Sequence, residues 1–258
     1  MKLAGKRALV TGASRGIGRA IAAAYAREGA DLIVTARSAS ELIPVREEIV
    51  AHGRHCVAIE ADLAVAGEVD HLWSEVERAG CKVDILVNNA GMGSGAAPKP
   101  VVEFDDEFWS RTLHLNLTVP YQLCKKALPA MVASRYGRVI AIASINALRG
   151  GVFDAAYTAS KSGLVGLMRT VAREHVRDGV TSNAICPGTC ATRTSDARLG
   201  YEAARTGRSI EDVCRHIGPM GRRLEPAEIA PIAVYLASAE AAMTTGQTFV
   251  IDGGQLNA

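Results

Sequence analysis

The stretch Tyr157-Thr158-Ala159-Ser160-Lys161 sets a phenol and an ammonium four residues apart. On a helix that spacing is just over one turn, so the two side chains share a face. A phenol has an ordinary pKa of about 10 and is a poor acid or base at neutral pH. A nearby ammonium favours the phenolate and lowers that value. The pair is a proton-transfer device or, more plainly, a surface contact between helical neighbours; the rest of the chain must decide.

A second constellation lies near the N-terminus. TGASRGIG, from Thr11 to Gly18, follows an apolar run and opens a helical pattern, with glycines at 12, 16 and 18. Glycines let a backbone turn sharply and approach a pyrophosphate, and the helix N-terminus adds free N–H groups and a positive dipole end. No Lys-Ser/Thr follows the last glycine, which argues against a triphosphate loop. A dinucleotide site that prefers NAD places an acid at the end of the second strand, for the ribose hydroxyls. Here the chain reads Thr35-Ala36-Arg37-Ser38, so the acid is missing and an arginine follows, while Arg15 lies inside the glycine loop. Two guanidinium groups can flank a 2′-phosphate. The pattern favours NADP (NADPH) and leaves NAD possible.

These residues need elements to position them. Short apolar runs over residues 7–12, 31–36, 55–60, 84–88, 137–143, 180–186 and 247–251 predict seven strands. Helical spacing predicts helices between them, among them 19–29, 41–53 with Pro44 in its first turns, an uninterrupted 112–134, 155–178 and 225–238. Near-continuous apolar strands alternating with helices predict an α/β fold: one doubly wound parallel sheet covered on both faces, a three-layer αβα domain. Ligands of such a sheet sit at the carboxyl ends of its strands.

Composition narrows the classes. At 258 residues the chain is near the upper size for one hydrophobic core. Its net charge of +2, without a long run of one sign, gives no footprint for nucleic acid or an acidic membrane surface. The N-terminal apolar run is too short and interrupted for a signal peptide, and no stretch approaches the ~20 residues of a membrane span. A cytoplasmic protein is expected. The six cysteines form no CxxC pair and are expected as buried thiols. His52 and His55 lack completing ligands, so no metal is expected.

TGASRGIG, Asn88-Asn89-Ala90-Gly91, Asn116, Ser144, the Tyr157/Lys161 pair and the stretch from Pro187 to Thr192 follow one another in order. With them the chain resembles the short-chain dehydrogenase/reductase family over essentially its whole length. The resemblance implies a Rossmann-type single domain over 1–258, a nicotinamide cofactor, alcohol/carbonyl chemistry and a homotetramer. Carried across by position, it implies Tyr157 as general acid/base and Lys161 as the group that lowers its pKa and binds the nicotinamide ribose. Ser144 would hold and polarise the substrate oxygen, and Asn116 would anchor a water leading to Lys161. On the cofactor side the resemblance implies Gly12, Ser14, Arg15, Gly16, Ile17 and Gly18 at the phosphates, with Arg37 at the ribose. It implies Asp62 with Leu63 at the adenine, Asn89, Ala90 and Gly91 on the adenosine side, and Pro187 and Gly188 leading to Thr192 at the carboxamide. Thr181-Ser182 replace a more usual apolar or basic pair, a departure expected to affect packing.

Elementary chemistry supports the same assignment. Hydride transfer to a carbonyl carbon builds negative charge on the oxygen, where a phenol can deliver a proton and a serine a hydrogen bond. The segment at about 189–223 is expected as a substrate lid. Met92, Ser144, Asn146, Phe153 and Cys190, with Leu199 and Tyr201, are candidate pocket walls for a small or medium ketone or alcohol. Arg193 and Arg198 keep a carboxylate or an acyl-carrier partner in view. The leading expectation is an NADP-dependent alcohol dehydrogenase or carbonyl reductase. The alternatives are a 3-oxoacyl-[acyl-carrier-protein] reductase and a non-catalytic cofactor-sensing protein, which would be expected to lose Tyr157 or Lys161. Leu164, Leu167, Met168 and Val171 read as surplus apolar surface beyond one sheet face. Together with an apolar C-terminal edge strand they predict a homotetramer, with a dimer as the fallback.

Overall fold

In the computed structural model, which describes residues 1–93, 95 and 98–257, the seven apolar runs pair into one parallel sheet. The strands are β1 (Arg7–Thr11), β2 (Asp31–Ala36), β3 (Cys56–Glu60), β4 (Ile85–Asn88), β5 (Gly137–Ile142), β6 (Val180–Pro187) and β7 (Thr248–Ile251). Their order is β3-β2-β1-β4-β5-β6-β7. The chain winds outward from β1 to β3, then returns to lay β4 on the other side of β1. Val10 pairs with both Val34 and Val87, so the strand ends flanking this switch point are level. A ligand crevice forms where the winding reverses.

Side chains alternate across a strand, and both sheet faces are buried. Ala8, Val10, Ile85 and Val87 face one core, closed by α1 (Gly16–Arg27), α2 (Ala39–Ala51) and α10 (Pro226–Ala237). Leu9, Leu86, Val139 and Ala141 face the other, closed by α3 (Glu68–Arg78), α5 (Val119–Ala133) and α7 (Ala155–His175). Ser182 joins this packing, with its hydroxyl against Met168 Sδ at 3.3 Å.

Three helical expectations need correction. The predicted continuous helix 112–134 is α4 (Asp106–Leu113), a π-helical stretch (His114–Thr118) and α5. Pro120 carries no N–H for the carbonyl of Asn116, so the regular i→i−4 ladder fails at this turn. Helix α2 begins at Ala39, ahead of the expected start, so Pro44 sits past the first turn. The assumed surplus surface on α7 is the chain's own core: Leu164, Met168 and Val171 are buried, and Leu167 packs against the same cluster. Exposed apolar side chains lie elsewhere, at Trp109 on α4, Tyr121 on α5 and Val250 on the edge strand β7.

Between β6 and α10 the chain forms α8 (Arg193–Thr206) and α9 (Ile210–Arg215), with α6 (Asn146–Arg149) after β5. All six cysteines are free thiols; Cys124, Cys186 and Cys190 are buried, whereas Cys56, Cys81 and Cys214 are half-buried. Among the described residues no helix is long and apolar enough to cross a membrane.

Candidate active site

The crevice at the carboxyl ends of β1 and β4 is built by the glycine loop. Gly12 and Gly16 have φ of +63° and +56°, a backbone region L side chains rarely adopt. A Cβ on Gly18 would stand 2.4 Å from both the Gly12 carbonyl oxygen and Asn89 Nδ2, so only glycine lets α1 start this close to the strand ends. The N-cap of α1, Arg15, makes no side-chain capping bond. The first-turn N–H groups of Gly16, Ile17 and Gly18 therefore keep their capacity to bind an anion. A glycine cradle before an uncapped helix N-terminus fits a dinucleotide pyrophosphate.

Thr11, which the motif reading passed over, ties this loop to β4. Its hydroxyl donates to the Val87 carbonyl at 3.2 Å and accepts the N–H groups of Asn89 and Ala90, each at 3.0 Å. Asn89 in turn donates from Nδ2 to the carbonyls of Thr11 at 2.8 Å and Gly12 at 3.1 Å.

Next to this loop, at the end of β2, Arg37 is exposed, while Arg15 pairs with Glu41 at 3.0 Å. The Ser14 hydroxyl donates to the same carboxylate at 3.1 Å. Sequence inspection did not find Glu41, because its partners lie 26 and 27 residues earlier in the chain. After β3, Asp62 is half-buried and accepts the Ala64 N–H at 3.1 Å, and Leu63 beside it is buried.

The catalytic candidates converge from three elements. Ser144 follows β5, is buried, and accepts the Asn146 N–H at 3.1 Å. Tyr157 and Lys161 stand one turn apart on α7. Lys161 is buried and its Nζ donates to the Ile142 carbonyl at 2.8 Å. Asn116 projects from the π-helical stretch, fully buried. Its Oδ1 accepts the Met92 N–H at 2.9 Å, and its Nδ2 donates to the Met92 carbonyl at 2.8 Å and to Ser160 Oγ at 3.0 Å. A Cβ on Gly91 would lie 3.0 Å from Asn116 Oδ1 and 3.4 Å from Lys161 Nζ, so this glycine brings the amide and the ammonium together.

Burial governs the electrostatics here. It pushes the Tyr157 phenol up to about 12; the Ser144 hydroxyl pulls the other way as a hydrogen-bond partner, and the nearby Asp154 carboxylate adds to the rise. Burial also pushes Lys161 down to about 8. Burial is thus the largest influence on both groups, and an acidifying effect of Lys161 on the phenol does not show in this balance.

The loop after β6 packs between Gln255 and the glycine loop. Gly188 packs so tightly that a Cβ would lie 2.7 Å from Gln255 Oε1, which also accepts the Thr189 N–H at 2.9 Å. Thr192 caps α8, and its methyl lies 3.3 Å from where a Gly16 side chain would begin. Met92, Asn146, Phe153 and Tyr201 are half-buried, Phe153 with a φ of +56°. Asn146 donates to the Asp154 carboxylate at 2.9 Å. Cys190 and Leu199 are buried, and Cys190 belongs to the core cluster that holds Leu224. Arg198 is held by Glu202 at 2.6 Å.

A family model described as Enoyl-(Acyl carrier protein) reductase matches residues 12–255. The 3-oxoacyl-[acyl-carrier-protein] reductase of Synechocystis sp. is 37% identical over 252 residues, covering 96% of each chain. The chain belongs to the short-chain dehydrogenase/reductase family. The D-beta-hydroxybutyrate dehydrogenase of Cupriavidus necator is 34% identical over 256 residues, covering 98% of each chain. Among solved structures, one from Beutenbergia cavernae superposes with a TM-score of 0.89 at 37% identity, covering 100% of this chain and 99% of its own. That protein is provisionally described as an NAD(P)-dependent gluconate 5-dehydrogenase, with NADP bound at low occupancy. As a short-chain dehydrogenase/reductase, the chain is an oxidoreductase of the alcohol/carbonyl pair and takes a nicotinamide cofactor.

Proposed function

We propose that this short-chain dehydrogenase/reductase uses NADP(H) to interconvert a small or medium ketone and its secondary alcohol, with Tyr157 as the proton-transfer residue. The observation that carries this reading is the convergence of Ser144, Tyr157 and Lys161 beside a glycine cradle with an uncapped helix N-terminus. The preference for NADP rests on the exposed Arg37 where an NAD site has an acid, and on Arg15 in the adjoining loop.

The bound cofactor supplies or accepts the hydride. Ser144 donates a hydrogen bond to the carbonyl oxygen, where negative charge develops. Tyr157, held protonated at neutral pH, delivers its proton to that oxygen. Lys161, fixed by the Ile142 carbonyl, provides positive charge beside the phenolate that remains. Asn116 clamps Met92 and Ser160, and so holds the loop and the helix that carry the pair. Gly12, Ser14, Arg15, Gly16, Ile17 and Gly18 bind the phosphates. Asp62 and Leu63 bind the adenine side, and Asn89, Ala90 and Gly91 support it. Pro187, Gly188 and Thr192 bind the carboxamide side. Met92, Asn146, Phe153 and Cys190 shape the substrate end under a lid at about 189–223.

A 3-oxoacyl-[acyl-carrier-protein] reductase is the second reading, favoured by the Synechocystis relative. Arg198, Arg205, Arg208, Arg215, Arg222 and Arg223 each pair with a carboxylate, whereas Arg193 makes no ion pair among the described residues, so the lid keeps a positive charge that an acidic carrier could meet. For assembly we infer a cytoplasmic homotetramer, supported by the exposed Trp109 and Tyr121 and by the uncovered edge at β7. Light scattering at micromolar concentration checks it, and the mass of a single chain would contradict it.

The function is tested by assaying purified protein with NADPH and with NADH against ketones, 3-oxoacyl thioesters and keto sugars. Turnover of ketones with NADPH is expected. Turnover of carrier-linked thioesters alone would favour the second reading, and none with any member of the panel would contradict both.

A further inference from the structure

Glu41 is the carboxylate that neither the motifs nor the catalytic scheme uses. It projects from the first turn of α2, immediately after the β2 end that carries Arg37. Its Oε1 accepts from Arg15 Nη1 at 3.0 Å, and its Oε2 accepts from Ser14 Oγ at 3.1 Å. Both donors belong to the glycine loop. The pairing of Thr11 with Thr35 sets the ends of β1 and β2 side by side, and the Ala13 N–H donates to the Thr35 carbonyl at 3.1 Å. The glycine loop, the post-β2 turn and Glu41 therefore share one patch. Ser14 first, then Arg15, hold the Glu41 carboxyl below its usual range, and Arg193 at the start of α8 acts in the same direction. Arg37 makes no ion pair among the described residues.

We propose that Glu41 sets the cofactor preference by competing with the cofactor 2′-phosphate for Arg15 and Ser14. The inference rests on the reading that this patch receives the ribose end of NADP(H). The carboxylate occupies the guanidinium that the phosphate needs. A phosphate brought beside it also meets a like charge. Binding of NADP(H) thus requires Arg15 to exchange one anion for another, whereas NAD(H), with no 2′-phosphate, requires no exchange. Glu41 narrows the preference that Arg15 and Arg37 would otherwise give.

The test uses Glu41→Gln, which removes the charge and keeps the size and an oxygen acceptor. Glu41 is exposed, so the fold is not at stake. Affinities for 2′,5′-ADP and for 5′-ADP are measured by calorimetry, and those for NADPH and NADH by fluorescence titration. With the ion pair to Arg15 and the like charge both removed, the ratio of 2′-phosphorylated to unphosphorylated affinity should rise about threefold or more. The gain should shrink in an Arg15→Ala background, where only Ser14 and the like charge are left to act. An unchanged ratio, or a variant that loses affinity for 2′,5′-ADP, overturns the proposal and makes Glu41 a support for Arg15. Wild-type protein that binds NADH more tightly than NADPH would contradict the NADP reading alone, because the ratio change in the variant would still be measured.

Discussion

Lys161 Nζ stands 5.7 Å from the centre of the Tyr157 ring and is hydrogen-bonded to the Ile142 carbonyl at 2.8 Å. The two side chains share one face of α7, as their spacing requires; the ammonium lies over the phenol ring while its hydrogen bond goes to β5. Burial then decides both titrations. The phenol is held as an acid, at about 12, and the lysine near 8.

The buried lysine predicts a particular dependence of stability on pH. Its folded value of about 8 lies below the ordinary 10.5. Below about 8 the folded protein bears the full cost of a buried ammonium. Between about 8 and 10.5 the unfolded chain binds the proton that the folded chain has released, so this group makes stability rise with pH. Lys161→Met lacks that contribution. The stability of wild type relative to Lys161→Met, from urea unfolding, should improve by about 1–3 kcal/mol between pH 7 and pH 10, one pKa unit being about 1.4 kcal/mol. A pH-independent difference would contradict the burial account.

Gly18→Ala should abolish dinucleotide binding. Its Cβ would lie 2.4 Å from the Gly12 carbonyl oxygen, which is backbone and cannot turn aside. The helix start must move, and with it the phosphate cradle. Fluorescence titration with NADPH should show loss of binding, and normal affinity would contradict the cradle.

Asn116→Ala should destabilise the fold as well as slow turnover. It leaves the part-buried Met92 N–H and carbonyl, and the buried Ser160 hydroxyl, without their amide partner. An unsatisfied buried group costs about 1–3 kcal/mol and a part-buried one less, so the urea midpoint should fall. An unchanged midpoint would mean that these groups find other partners.

The sheet was legible from sequence because each strand is an apolar run bounded by polar residues or glycine; every predicted strand lies within one residue of the observed one at either end. The helix around Asn116 was less legible. Periodicity continues across His114–Thr118, and only the missing N–H of Pro120 hints at the π-helical stretch. The misread face of α7 has a similar origin: Leu164, Met168 and Val171 look surplus until the width of the second core is known. Motif order marked Tyr157, Lys161, Ser144 and Asn116 as candidates, but not how strongly burial acts on the pair, which depends on depth. Thr11 and Glu41 act through partners far along the chain, and no local pattern announces them.

Arg37→Ala should weaken NADPH binding while leaving NADH within about twofold, since only the 2′-phosphate calls on that guanidinium. Parallel fluorescence titrations decide. An equal loss for both cofactors would make Arg37 a general ribose contact.

The central claim, that Tyr157 moves the proton, is tested most directly by steady-state kinetics of Tyr157→Phe with NADPH and an accepted ketone, alongside the variant's affinity for NADPH. General acid–base catalysis is worth about 10²–10⁴-fold. The predicted result is a fall of that size in kcat with cofactor affinity unchanged. Activity within a few-fold of wild type would contradict the account.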